Sequence, residues 1–293
     1  MHIALVGVPY SGDVARWGAA NGPQAFLDAG LRQELERRGH SVSDPIWIDF
    51  PRAERTRDTV TNLGRIAART SDAVYAALTG GNDFVLVLEG NCTHAPGAIG
   101  GLARAAGSAG VAWFDAHGDM NTMATTLTGL WGGMPFAVAL GWDLDDWRLA
   151  AGLEQPVQPE AAALVGASDL DQAEIDALGC HPILRMDAAD MLEPGVGSRL
   201  DGTLRPRASQ APAWYIHLDV DVAGTDEVPG ALTPAPLWPP RDHLIEAAAA
   251  VAEAAPARVM GLAAYDPAGD SARRGARFGI DMALAVVESS AVS

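Results

Sequence analysis

Two stretches of this chain set acids at the point where an apolar run ends. In GVAWFDAHGDMN (110–121) the run is followed by Asp115, His117 and Asp119, and AWYIHLDVDV (213–222) carries Asp219 and Asp221. Alternation with period two puts Asp219 and Asp221 on one side of an extended chain, which forces two carboxylates together where the strand would bury them. Unpaired buried carboxylates protonate or destabilise the fold, and a cation resolves the conflict. The sequence contains no lysine, and no arginine lies within ten residues of Asp115, His117 or Asp119, so a divalent metal is a stronger answer than local ion pairing. Either stretch alone reads equally as loop acids beside a satisfied histidine; two of them at strand ends point to metal. Four carboxylates and one imidazole exceed what one ion needs, and a set rich in oxygen suits manganese, iron or magnesium before zinc. Two ions sharing a water would lower its pKa and supply hydroxide near neutral pH for attack on a planar carbon.

The elements that must position these residues alternate along the chain. Runs at 2–8, 84–88, 110–114, 163–167, 213–221 and 258–265 read as buried strands. Helices are predicted at 23–38, 57–80, 95–105, 171–178, 240–254 and 271–290; in the first, Leu27, Leu31 and Leu35 repeat every four residues and Pro23 suits the opening turn. This order predicts an α/β fold: one doubly wound domain over 1–293, with a mostly parallel sheet covered on both faces and its ligand site beyond the carboxyl ends of the strands. The acidic stretch 141–160 and the Pro-rich stretch 228–240 read as loops or insertions.

Bulk properties narrow the function. A chain of 293 residues with 48% hydrophobic content can bury a large core. A net charge of −17 without a clustered positive face excludes nucleic acid and anionic membrane surfaces and leaves small molecules or cations as partners. The absence of lysine excludes Schiff-base chemistry and a P-loop. Cys92 and Cys180 do not make a disulfide framework. The start lacks a signal-peptide pattern, and no apolar run approaches the roughly 20 residues of a membrane span, so a cytoplasmic protein is expected.

The motifs resemble those of the arginase and agmatinase superfamily, the ureohydrolases. DAHGD (115–119) and HLDVD (217–221) look like its two metal signatures, and NGPQAFLDAGL (21–31), GMPFAVALG (133–141), VGASDLD (165–171) and GLAAYDP (261–267) are similar to further family segments along most of the chain. The resemblance implies a three-layer α/β/α fold, two manganese ions (Mn2+) per chain, hydrolysis of a C–N bond in a linear amidine, and a homo-oligomer. Carried over by position, Asp115 and Asp219 are bridging candidates, with His117, Asp119 and Asp221 completing the two ion sites. The family's Gly-Gly-Asp-His segment reads EGNC here, which puts Cys92 on the histidine ligand and Asn91 on the aspartate. His94 is the competing ligand, and a small buried hydrophobe is the other reading of Cys92. Asp119 and Asp266 are the catalytic candidates and Asn121, Asp169, Asp171 and Trp131 the substrate-binding ones; Asp169 and Asp171 resemble the family's acids that grip a substrate amino group but also suit a loop or helix cap, and Trp131 either walls the pocket or packs. Trp142 and Trp147 either wall the pocket or pack, and His217, two residues before Asp219, is a hydrogen-bonded partner behind the ligands or a core histidine.

Three departures bear on substrate. The family's proton-shuttle histidine falls on Gly132, its guanidinium-binding glutamate falls on Ala264, with Asp266 a candidate for the lost charge, and its third aspartate has no match, Asp226 lying two residues late. A branch that hydrolyses hydroxyarginine resembles this chain in having cysteine at the ligand position and a segment like TGLWGGM (128–134). A less basic leaving group needs less help from a shuttle. The expected substrate is a guanidino or hydroxyguanidino small molecule like arginine; the alternatives are a formimino or other linear amidine or amide, or a non-catalytic binding protein.

Overall fold

The computed structural model describes residues 1–291 apart from 230 and 232. The first strand, β1 (His2–Val8), leads into a small hairpin of β2 (Tyr10–Ser11) and β3 (Val14–Ala15). The remaining strands are β4 (Ser41–Val42), β5 (Ile46–Trp47), β6 (Phe84–Glu89), β7 (Gly110–Phe114), β8 (Ala162–Val165), β9 (Leu184–Met186), β10 (Trp214–Asp219) and β11 (Ala257–Ala263). Among the described residues they form a parallel sheet of nine strands in the order β4-β1-β6-β11-β10-β7-β8-β9, with β5 also on β1. The helices are α1 (Gly22–Asp28), α2 (Leu31–Arg37), α3 (Thr59–Thr79), α4 (Ala95–Ala106), α5 (Pro135–Ala139), α6 (Asp145–Ala150), α7 (Gln172–Cys180), α8 (Val196–Ala208), α9 (Arg241–Ala254) and α10 (Arg274–Ser290). No helix among the described residues is long and apolar enough to cross a membrane.

Both faces of the sheet are covered, which is why the central strands read as unbroken apolar runs. Ile3 and Leu5 of β1 enter a core shared with Phe26, Leu35, Leu200, Leu244 and Phe278 from α1, α2, α8, α9 and α10. Ala4, Val6 and Val8 enter the opposite core, with Ile66, Ile99 and Phe136 from α3, α4 and α5. This is the predicted three-layer α/β/α arrangement. The second face carries the site, because Trp113, Tyr215 and Val87 lie on it and period-two alternation extends it to Asp115, His217, Asp219 and Glu89.

The structure corrects several sequence expectations. The helix expected over 23–38 is two helices, because Gly30 adopts φ +101° and breaks the path between α1 and α2. The stretch 141–160 contains α6, whose Trp147 is buried with Leu63, Ala67, Val138 and Ala151. Elements also fall where none was predicted: the short strands β2, β3, β4, β5 and β9, of two or three residues each, and α8, which is polar and carries Pro206 inside it, yet has Leu200 and Leu204, four apart, fully buried. The loop expected at 228–240 is irregular over its described residues, positions 230 and 232 lying outside them.

Candidate metal centre

The site is assembled from the carboxyl ends of β6, β7 and β10. Gly90 follows β6 at a place with no room for a side chain, since a Cβ there would lie 2.2 Å from the Tyr10 carbonyl oxygen. The chain then turns, and the buried Cys92 thiol donates to Asp219 Oδ2 at 2.9 Å. His94 is engaged elsewhere, its Nε2 lying 2.7 Å from the Tyr10 carbonyl. Of the two competing donors, Cys92 is the one the fold brings to the acids.

After β7, the His117 backbone N–H donates to Asp115 Oδ1 at 2.8 Å, and the His117 Nδ1 lies 3.3 Å from both Asp115 Oδ1 and Asp221 Oδ2. Asp119 sits at φ +50°, a conformation stabilised because its carbonyl accepts the Phe136 and Ala137 N–H groups at the start of α5. Asp221 arrives differently from the period-two expectation. β10 ends at Asp219, and Val220–Val222 form one 3-10 turn in which the Asp221 N–H donates to Asp219 Oδ1 at 2.8 Å. The turn, not an extended strand, brings the two carboxylates together.

Donor atoms of Asp115, His117 and Asp221 lie within 4.8 Å of one another, as do those of Cys92, Asp115 and His217, so Asp115 belongs to both groups. Burial, followed by the Asp221 charge, raises the Asp115 pKa to about 7. Burial first, with neighbouring carboxylates adding, pushes Asp119 and Asp219 well above the usual range and raises the Cys92 thiol likewise. Burial would lower His117, but Asp115 and Asp221 outweigh it and hold the imidazole at about 12. Among the described residues no arginine pairs with these acids, and Asp119 Oδ2 and His217 Nε2 are buried without a hydrogen-bond partner. A cluster of acids that must keep protons for want of cations is a set of donors suited to divalent ions.

The expected substrate residues divide. Asn121 and Asp171 meet, the Asn121 Nδ2 donating to Asp171 Oδ2 at 2.9 Å. Asp171 also stands at the N-cap of α7, in a capping box with Glu174. Asp169 is exposed, with Oδ2 3.9 Å from His117 Nε2, so it flanks the imidazole at the mouth. Trp131 packs against the cluster around Trp147, while Trp142 lies tilted against His181 with ring centroids 4.7 Å apart. Trp147 is fully buried core packing, while Trp131 and Trp142 are only partly buried. Asp266 caps its own turn, accepting the Ala268 N–H at 2.9 Å, and makes no hydrogen bond to the cluster. A Cβ on Gly132 would face the Asn91 amide at 3.5 Å, and Ala264 adopts φ +64°.

Three features of the centre lie beyond the two motifs. Thr233 Oγ1 donates to Asp221 Oδ2 at 2.8 Å from the Pro-rich loop, where no sequence signal marks it. Glu174 accepts the Met120 and Asp171 N–H groups and ties the loop after Asp119 to α7. Its signal was legible as Asp-x-x-Glu at a helix start. Glu89, completely buried, meets Tyr215 across the sheet.

Oxygen, nitrogen and sulfur donors converging at the strand ends of a parallel sheet define a centre of the metallohydrolase type. A family model described as "Arginase family" matches residues 1–288, and the chain belongs to that family, whose members are ureohydrolases acting on C–N bonds of linear amidines. An arginase from Brevibacillus brevis is 30% identical over 241 residues, covering 80% of each chain. The arginase structure from Bacillus cereus is similar with a TM-score of 0.87 at 26% identity, covering 98% of both chains. Formimidoylglutamase from Bacillus subtilis shares the fold with a TM-score of 0.77 at 20% identity, covering all of this chain and 88% of the other.

Proposed function

We propose that this protein is a two-manganese hydrolase of a small arginine-like molecule and that its preferred substrate carries a hydroxyguanidino group. The observation that carries the metal reading is the convergence of Cys92, Asp115, His117, Asp119, Asp219 and Asp221, with Asp115 in both donor groups. Two divalent ions held there would acidify a water and make hydroxide available near neutral pH. The side chains then do the rest. Asp119 Oδ2, buried and without a partner, would hold the proton released by the nucleophile and pass it to the departing nitrogen. The Asn121–Asp171 pair and the exposed Asp169 form a polar rim suited to a substrate amino group.

Gly132 and Ala264 support the substrate preference. Neither offers a proton donor or a carboxylate, so protonation of a strongly basic leaving group and a charged grip on guanidinium lack their side chains. A hydroxyguanidino group is less basic than guanidinium and so has less need of the charged grip. The test is a panel of guanidino, hydroxyguanidino and formimino compounds, with release of urea, hydroxyurea or ammonia measured, and metal content measured on the same protein. We expect about two manganese per chain and fastest release of hydroxyurea. Full activity of metal-free protein would sink the metal reading; faster turnover of arginine or of a formimino compound would sink the substrate preference.

A further inference from the structure

On the second face of the sheet a chain of buried polar groups runs toward the centre from behind. Glu89, Tyr215 and His217 are each completely buried. The Tyr215 hydroxyl lies 3.3 Å from Glu89 Oε1 and 3.0 Å from His217 Nδ1. Glu89 and Tyr215 belong to β6 and β10, which are not neighbours, because β11 lies between them. They meet over Gly261 of β11, where a Cβ would sit 2.1 Å from the Tyr215 hydroxyl and 3.2 Å from the Glu89 carboxyl carbon. Any side chain at that position would cut the chain.

The far end of the chain is the His217 ring. Trp113 stacks on it with centroids 3.7 Å apart, and the Trp113 Nε1–H donates to Asp115 Oδ2 at 3.0 Å. The ring plane is therefore held by the same indole that holds Asp115. Its Nε2 has no hydrogen-bond partner although completely buried, and a donor atom of His217 lies within 4.8 Å of donor atoms of both Cys92 and Asp115. An orphaned ring nitrogen at that depth costs free energy unless something occupies the space in front of it.

We infer that His217 is a nitrogen ligand of the ion on the Cys92 side, with its Nδ1–H held by Tyr215 and Glu89 so that the Nε2 lone pair faces Cys92 and Asp115. This rests on the two-metal reading above. When Nδ1–H donates to the Tyr215 oxygen and the hydroxyl donates to Glu89, the only tautomer left has a bare Nε2, the form a metal requires. The ion beside the thiol thus gains imidazole from the strand of Asp219, not from the segment that carries Cys92.

The test is manganese titration of chelator-stripped protein, with manganese-edge anomalous diffraction from crystals of the loaded full chain. In the wild type, an anomalous peak within coordination distance of His217 Nε2 is expected. His217→Phe keeps an aromatic ring against Trp113 and should bind one ion tightly while the other weakens more than about 100-fold. Tyr215→Phe, which loses only the hydroxyl, should keep two ions with one weakened about 10- to 100-fold, as for loss of a group orienting a ligand. Should His217→Phe fail to fold, the wild-type map and Tyr215→Phe still decide. Two wild-type ions with no peak near His217, or wild-type affinities in both variants, would overturn this inference alone. A wild type that binds no metal would overturn the metal reading with it.

Discussion

Chelator-stripped protein should lose thermal stability as pH rises from about 7 to 9, and manganese should remove that loss. His117 decides the sign. Its folded value of about 12 stands above the ordinary 6.5, because Asp115 and Asp221 outweigh burial, which by itself would lower it. A raised folded value gives stability that is complete below 6.5 and is lost as pH climbs toward 12. One proton retained by the folded chain alone costs about 1.4 kcal/mol per pH unit, so two units take away about 2.7 kcal/mol. In a chain of this size that lowers Tm by roughly 5 °C. Asp119 and Asp219, raised chiefly by burial, have the same sign. The buried His94 and His217, lowered by burial to about 4 and about 3, act in the opposite direction, but only below 6.5. Bound ions would replace the retained protons, so manganese at about 100 times its Kd adds about 2.7 kcal/mol per site, more firmly at higher pH. The assay is thermal unfolding followed by circular dichroism at several pH values, with chelator and with manganese. A metal-free Tm that is flat or higher at pH 9 than at pH 7 would refute the reasoning.

Cys92→His replaces a thiol with the harder imidazole. Manganese-loaded wild type should be inactivated by mild peroxide, the variant should resist it, and metal titration should show a changed affinity at one site; identical titrations and identical peroxide sensitivity would remove Cys92 from the ligands. Ala264→Gly relieves a left-handed alanine at φ +64° and should stabilise the fold by about 0.5–1 kcal/mol, read as a small rise in Tm. A lower Tm would mean that the methyl group packs to more effect than the backbone is strained.

The central strands were legible because burial on both faces leaves uninterrupted apolar runs, and their predicted bounds agree with the structure to within a residue or two over β1, β6, β7 and β11. The edge strands β4 and β5 have two residues each, too few to show a period, and α8 is marked only by Leu200 and Leu204. At the site, spacing revealed Asp115, His117, Asp119, Asp219 and Asp221, since residues of one local segment stay close in space. What joins Glu89 to Tyr215 is a contact over 126 positions and across an intervening strand. Nothing local marks it, and only the register His217 to Gly261 shows why a glycine stands there. Among the tryptophans the fold settles Trp147 alone: a ring suited to a pocket wall is equally suited to a core, and Trp147 is fully buried with Ala67 and Val138.

The departures from the family fall on one side of the chemistry. Cys92 changes the kind of donor but leaves a donor in place, 2.9 Å from Asp219, and His217 stands close enough to supply nitrogen. On the two-metal reading proposed above, the machinery for making a nucleophile is kept in number while its composition shifts toward sulfur. Gly132 and Ala264, by contrast, remove side chains that would act on the substrate and put nothing charged in their place, since Asp266 is occupied in capping its own turn. A centre altered at random would lose donors as readily as substrate contacts. One that keeps its donors and gives up a charged grip on guanidinium suits a substrate whose reacting group is less basic than guanidinium and carries less positive charge to be held. On that argument Ala264→Glu should increase turnover of arginine relative to a hydroxyguanidino analogue, read as the ratio of their kcat/KM values, and an unchanged ratio would separate Ala264 from specificity.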